Sequence, residues 1–390
     1  MRLKVAVDAR PLDIAYLRAQ GLGRYAQGLL GPLAAVAEER GGQLVTLRSS
    51  LPAPEGFGLE VGNGPRVRRV RRPPVPARLA DLPEQLLLPI DLRRCGADVN
   101  HALSIYRTAV APGVPTVMTV HDVAPLMWPE RYLRSGTLHR LLYLAARRAR
   151  LLLADSEAAR ADIVTHLGVP GERIVTVPLA ADASFAPVDP RPAHFLLGFE
   201  GPYLLYVGGL ANHDWRKNVR GLIEGFAAWH RAQERTETLV LAGGIGQEGR
   251  ELMRLARELG APAVFPGFVA DADLPALFSG ASCFVTASRY EGFGLPALEA
   301  ISSGTPVAAF HAGAVPEVAG PGALTVADGD VAALMQAAGS VCDDPALRDR
   351  LSGDGLHHAK GYSWRRTAEL TWDAYERAAR PEGTGVPGAI

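Results

Sequence analysis

The sequence predicts an α/β protein made of two successive doubly wound domains, each a parallel sheet covered by helices. Three observations carry this. Short apolar runs alternate with amphipathic helical stretches from end to end. The runs are continuous valine, isoleucine and leucine, as expected of strands buried on both faces. The alternation breaks once, over residues 183–201, where Pro187, Pro190 and Pro192 fall in a stretch without periodicity, and then restarts.

In the first half the strand candidates are residues 3–7, 44–47, 114–120, 151–154 and 174–177, with a helix near residues 24–37. In the second half they are 203–207, 239–241, 263–265, 283–286, 306–309 and 324–326. A last helix is expected over 364–377, with Ala368, Trp372 and Tyr375 on its apolar face. The expected division is a first domain over 1–186 and a second over 187–362. A closing helix over 363–380 then packs back on the first domain, and a flexible tail follows over 381–390. A chain of 390 residues exceeds one ordinary core, which agrees with two domains.

The 41 basic and 41 acidic residues cancel, so nucleic acid is not an expected partner. The amino terminus reads as a strand, without the apolar core and cleavage site of a secretion signal. The cysteines Cys95, Cys283 and Cys342 are scattered and odd in number, which fits free thiols in a reducing cytoplasm and no metal site. Arg66, Arg68, Arg69, Arg71 and Arg72 read as a solvated loop. Read alternatively, with Leu86, Leu87 and Leu88 nearby, they make peripheral contact with anionic lipid at the inner membrane face.

In open parallel sheets ligands bind beyond the carboxyl ends of the strands, so the loops there carry the chemistry. The densest such loop runs from Ser288 to Glu299. Gly292 and Gly294 let the backbone approach a ligand closely. Pro296 suits a first helical turn, whose free amides favour a phosphate. Glu291 stands where a carboxylate accepts hydrogen bonds from sugar hydroxyls, and Glu299 one turn into the helix, placed for a ribose diol. The plain structural alternative is a tight strand–helix turn in which Glu299 compensates the helix dipole. A second loop, from Val207 to Asn218, offers Arg216 and Lys217 to a diphosphate leaving group. In the first half, Gly21-Leu-Gly-Arg-Tyr25 opens a helix that brings Gly23 and Arg24 towards phosphates. Ala26 breaks the dinucleotide fingerprint there, so no nicotinamide cofactor is expected. His121 and Asp122 end a buried strand; His121 there is either structural or part of the site.

With these residues in place, the sequence resembles the family 4 retaining glycosyltransferases over nearly its whole length. The Glu291–Glu299 spacing in its Gly-Phe-Gly-Leu-Pro setting, Arg216-Lys217-Asn218, Thr119-Val-His-Asp122, Gly267-Phe-Val269 and Gly304-Thr-Pro-Val307 follow that family's pattern in order. Asp8-Ala-Arg-Pro11 followed by Gly21–Tyr25 resembles the mannosyltransferase-like branch. The resemblance implies a GT-B fold, two Rossmann-like domains facing a central cleft. It also implies hexose transfer from a nucleoside diphosphate sugar to a hydroxyl of a glycan, lipid-linked or natural-product acceptor. GDP-mannose is the first donor by branch, a UDP-hexose or deoxysugar nucleotide the next. Arg216 and Lys217 would take the diphosphate, Glu299 the ribose, and Glu291 with Gly292, Phe293, Gly294 and Leu295 the transferred sugar. His121 would meet that sugar from the other domain, and Phe268 and Val269 the base. No cofactor or metal is implied. Two positions depart from the pattern. Leu210 stands near where many relatives have arginine, leaving Arg216 to supply the cation, and Phe310-His311 replaces small polar residues. Rival readings are a GT-B sugar epimerase, a phosphorylase, for which Lys4 and Lys360 are poor cofactor lysines, and a non-catalytic nucleotide-sugar-binding subunit.

Overall fold

The computed structural model describes residues 2–10, 21–49, 66–70, 82–106, 108–132 and 137–381. The chain forms two compact units, one of Met1–Leu179 with Trp364–Ile390, the other of Ala180–Ser363. The last segment, 382–390, read from sequence as a flexible tail, lies outside the described residues.

The first unit is built on strands β1 (Lys4–Asp8), β2 (Gln43–Ser49), β3 (Arg66–Val70), β4 (Val99–Ala102), β5 (Thr116–Val120), β6 (Leu151–Ala154) and β7 (Ile174–Thr176). They pair in parallel in the order β3-β2-β1-β4-β5-β6-β7. The second unit holds β8 (Tyr203–Val207), β9 (Thr238–Ala242), β10 (Ala263–Gly267), β11 (Cys283–Thr286), β12 (Val307–Phe310) and β13 (Ala323–Val326), in the order β10-β9-β8-β11-β12-β13. In both sheets the order reverses between the first and fourth strands, and the carboxyl ends of β1/β4 and β8/β11 flank the crevice where such sheets take ligands. Central strands such as β5, β6, β11 and β12 are buried along their whole length, which explains their unbroken apolar runs.

Three expectations need correction. Arg66–Val70 is the parallel edge strand β3, paired with Val45–Ser49, and not a loop. An edge strand tolerates charge because one side faces water. Arg71 and Arg72 lie outside the described residues. The strand β4 escaped notice because two of its four buried residues, Asn100 and His101, are polar. The proline-rich stretch 183–201 holds a helix, Arg191–Leu197, with Pro190 at its N-cap and Pro192 in its first turn. Proline starts a helix as readily as it breaks one.

The chain returns to the first unit through the helix Trp364–Ala379, whose Ala368, Trp372 and Tyr375 are buried. It packs on the helix Gly21–Glu39 through a glycine window. A Cβ at Gly28 would sit 2.1 Å from the Trp364 ring. Glycine is thus required there for close approach, and the contact fixes the helix whose first turn carries Gly23 and Arg24.

Candidate active site

At the carboxyl edge of the second sheet, the loop after β8 turns into a short 3-10 segment, Trp215–Lys217, capped by the Asp214 side chain. Asp214 also grips the Arg216 guanidinium with both oxygens, at 3.0 and 2.9 Å. Burial alone would raise the Asp214 carboxyl, but Arg216 and then Lys217 outweigh it and hold it below its ordinary value. Lys217 Nζ donates to both carboxylate oxygens of Glu291, at 2.6 and 2.8 Å. The Arg289 amide donates to the Arg216 carbonyl at 2.7 Å, tying the loop after β8 to the loop after β11.

The Glu291 backbone is held from a third loop, the one after β12. The Ala314 amide donates to the Glu291 carbonyl at 2.9 Å, and a Cβ at Gly313 (φ 57°) would lie 2.4 Å from that oxygen. Gly294 (φ 91°) turns the chain into the helix Leu295–Ser302, with Pro296 in its first turn. Glu299 is 2 % exposed. A residue whose only task is to offset the dipole gains nothing from such burial, since a buried carboxylate needs partners to offset its desolvation. Beyond β10, Phe268 is 72 % exposed while Val269 is buried.

At the carboxyl edge of the first sheet, His121 follows the last residue of β5. Its Nδ1 lies 2.7 Å from the buried Asp155 carboxylate and its Nε2 3.0 Å from the Leu103 carbonyl. Both partners accept, so the ring is best served carrying both protons. Burial pulls its pKa down, but Asp155, the Leu103 carbonyl and Asp122 outweigh it and the net shift is upward. The Tyr25 ring stands edge-on to His121 at 4.8 Å. Behind them runs a buried polar chain. Tyr25 OH meets Thr119 Oγ1 at 2.8 Å, Thr119 Oγ1 meets His101 Nε2 at 2.9 Å, and His101 Nδ1 meets Tyr375 OH at 2.6 Å. His101 is wholly buried, and burial, with His121 nearby, takes its pKa down to about 3. Burial thus keeps His101 neutral, while the carboxylates around His121 favour its protonated form.

Of the residues singled out from sequence, Lys217 and Glu291 are in direct contact, and Arg216 is joined to them through the loop backbone. Gly292, Phe293, Gly294 and Leu295 form the turn above Glu299. Gly23 is buried and Arg24 half-buried in the first turn of Gly21–Glu39, in the same unit as His121. Asp8 and Arg10, read as part of a branch motif, form a buried ion cluster with Glu84 at 2.5 Å. Sequence reading missed Asp155, Asp214 and Gly313. Asp155 carried a legible signal, since it directly follows a buried strand, as His121 does.

The two parallel sheets and their loaded carboxyl edges define a GT-B glycosyltransferase. The sequence pattern of the Glycosyltransferase Family 4 proteins matches residues 21–185, and that of the Glycosyl transferases group 1 matches residues 201–344. O-antigen chain mannosyltransferase B of Escherichia coli is 32% identical over 270 residues, covering 67% of this chain and 70% of that protein. The chain belongs to glycosyltransferase family 4. The serotype-specific mannosyltransferase WbdA of Escherichia coli is 29% identical over 71% of this chain, which spans only 36% of that longer protein. Among solved structures, sucrose-phosphate synthase from Thermosynechococcus elongatus superposes with a TM-score of 0.79 at 22% identity, over 96% of this chain and 99% of that one. Anabaena HepE in complex with UDP and glucose gives 0.73 at 18% identity, over 96% and 100%.

Proposed function

We propose that this glycosyltransferase moves a hexose, with retention, from a nucleoside diphosphate sugar to a hydroxyl acceptor, and that mannose from GDP-mannose is the first donor to test. The observation that carries the reading is the Lys217–Glu291 pair in the loop that leads into a glycine-opened helix bearing a buried Glu299. A diphosphate arriving at that helix start is a better partner for Lys217 than Glu291 is, because it adds the amides of the first turn. Lys217 then turns to the phosphate and releases Glu291 to accept from sugar hydroxyls. Glu299 takes the ribose diol, and Val269 with the adjacent backbone takes the base. His121, with both ring nitrogens already engaged by Asp155 and the Leu103 carbonyl, contacts the transferred sugar through its ring edge and not through a hydrogen bond.

The acceptor oxygen bonds the anomeric carbon on the face from which the diphosphate departs, as the bond to the β-phosphate oxygen breaks. That leaving oxygen takes the acceptor proton. Lys217, Arg216 and the helix amides carry the developing charge, the largest source of acceleration such a site offers. Mannosyltransferase relatives support the sugar, and HepE in complex with UDP and glucose keeps the uridine donors in view.

A thermal-shift panel of GDP, UDP and dTDP identifies the base, because the bound nucleotide raises the melting temperature by mass action. Transfer from the matching sugar nucleotide, with the product anomer read by NMR, tests retention. A product of inverted configuration refutes the mechanism.

A further inference from the structure

One cavity, of about 770 Å³, is not at the carboxyl edges. It lies in the first unit at the opposite edge of the sheet, where β5 and β6 begin at Thr116 and Leu151. The helices Thr137–Arg148 and Trp364–Ala379 both end at it. Its floor is apolar, from Val110, Val114 and Leu151, and its wall carries Arg147, Arg148, Arg150, Arg173, Arg377 and Arg380 against one acid, Glu172.

Basic residues at helix ends offset the helix dipole, so that role has to be subtracted first. Two carboxyl termini amount to about one negative charge together. With Glu172 that accounts for two of the six arginines, leaving a surplus of about four positive charges. Elsewhere this protein ties its arginines to carboxylates, as in Arg40–Asp373, Arg235–Glu237 and Arg365–Glu39. Here Arg147 donates to the Leu167 carbonyl at 2.8 Å, Arg173 to the carbonyls of Arg147 and Ala149, and Arg377 to that of Glu172. Carbonyls hold the guanidinium groups in place without cancelling their charge. Arg148 and Arg380 are exposed, and among the described residues their side chains have no partner.

We infer that this basin is a second anion site, which takes an organic phosphate through the guanidinium wall and its less polar part on the apolar floor. Braced arginines present forked donors matched to phosphate oxygens. The volume falls within the roughly 300–1,000 Å³ of sites for drug-sized ligands. The two sources of such a phosphate, a soluble metabolite and a lipid headgroup, are told apart by experiment.

Inorganic pyrophosphate is titrated by calorimetry into the full chain, into Lys217→Ala, and into the double variant Arg148→Ala/Arg380→Ala. Co-sedimentation with vesicles of phosphatidylcholine, alone or mixed with phosphatidylglycerol, runs in parallel. The two replaced side chains brace nothing, so melting temperature and transfer activity should match the parent. A soluble ligand gives pyrophosphate binding that survives Lys217→Ala, weakens with salt, and falls at least tenfold in the double variant. A lipid headgroup gives sedimentation with the phosphatidylglycerol vesicles that the double variant loses. If the double variant, and the charge reversal Arg148→Glu, change neither readout, the basin is a solvated helix-end cluster and the inference is wrong.

Discussion

His121 after β5 and Lys217 after β8 both stand at a sheet's carboxyl edge, yet they are held in opposite ways. His121 is braced from within by Asp155, the Leu103 carbonyl and the Tyr25 ring, with the Thr119–His101–Tyr375 chain fixing that ring from behind. Those partners are buried and have nowhere else to go, so the edge of the first unit is rigid before any ligand arrives. Lys217 and Arg216 are half-buried and satisfied by Glu291 and Asp214, carboxylates a phosphate can supplant. The first arrangement fixes a geometry; in the proposed function the second stores charge in a form that a substrate can take over. An internal ion pair near the surface contributes little to stability, which makes it cheap to exchange.

Because of that difference, substitutions at the two edges should divide between turnover and stability. Lys217→Ala should lower turnover by about 10²–10³, while the lost half-exposed pair removes at most about 1 kcal/mol of stability. Steady-state rates and melting curves measured together check this; near-parent turnover would shift the diphosphate role to Arg216. Gly313→Ala should affect both quantities, since a Cβ there presses on the Glu291 backbone in a left-handed conformation. Strain of about 1–3 kcal/mol is expected, with a clear loss of turnover as Glu291 is displaced. Retained turnover would mean that the position of Glu291 is not critical.

The two histidines respond to pH in opposite directions. The folded pKa of His121 is raised, so its contribution to stability is complete below the ordinary histidine value and is lost as pH rises through the raised one. His101 runs the other way. Its pKa is depressed to about 3, so its contribution is present above the ordinary value and fades as pH falls towards 3. Asp155→Asn should lower the His121 pKa seen by NMR and leave His101 neutral. Should His121 titrate unchanged in that variant, the brace assigned to Asp155 does not act. The smallest effect on turnover is expected from Tyr375→Phe, which removes the remote end of the buried chain. About 1–3 kcal/mol of stability should go, because His101 Nδ1 is left unpaired in the core. Melting curves and rates should show stability falling far more than turnover.

What the sequence revealed of these edges follows the same division. The Ser288–Glu299 loop and Arg216-Lys217 were legible because glycine, proline and charge cluster locally, and β8 and β11 are uninterrupted apolar runs. The braces of His121 were not legible as a set. Tyr25, His101, Thr119, Asp155 and Tyr375 are scattered over 350 residues and meet only when five separate elements pack. Asp214 was hidden in an unusual loop, and Gly313 serves a backbone 22 positions away. β3 and β4 were missed because arginines, or a buried asparagine and histidine, interrupt the apolar pattern on which strand reading depends.

In the proposed function the edge of the second unit holds a nucleoside diphosphate, with Glu299 on the ribose. Glu299→Gln preserves shape and helix but weakens two charge-assisted hydrogen bonds, each contributing about 1.5–3 kcal/mol when well formed. The nucleoside diphosphate chosen by the thermal-shift panel is titrated by calorimetry into both proteins, beside their melting curves. Glu299→Gln should lose at least tenfold in affinity with a nearly unchanged melting temperature. Unchanged affinity with a melting temperature lowered by the loss of about 0.3–1 kcal/mol would make Glu299 a dipole-compensating residue and contradict the claim.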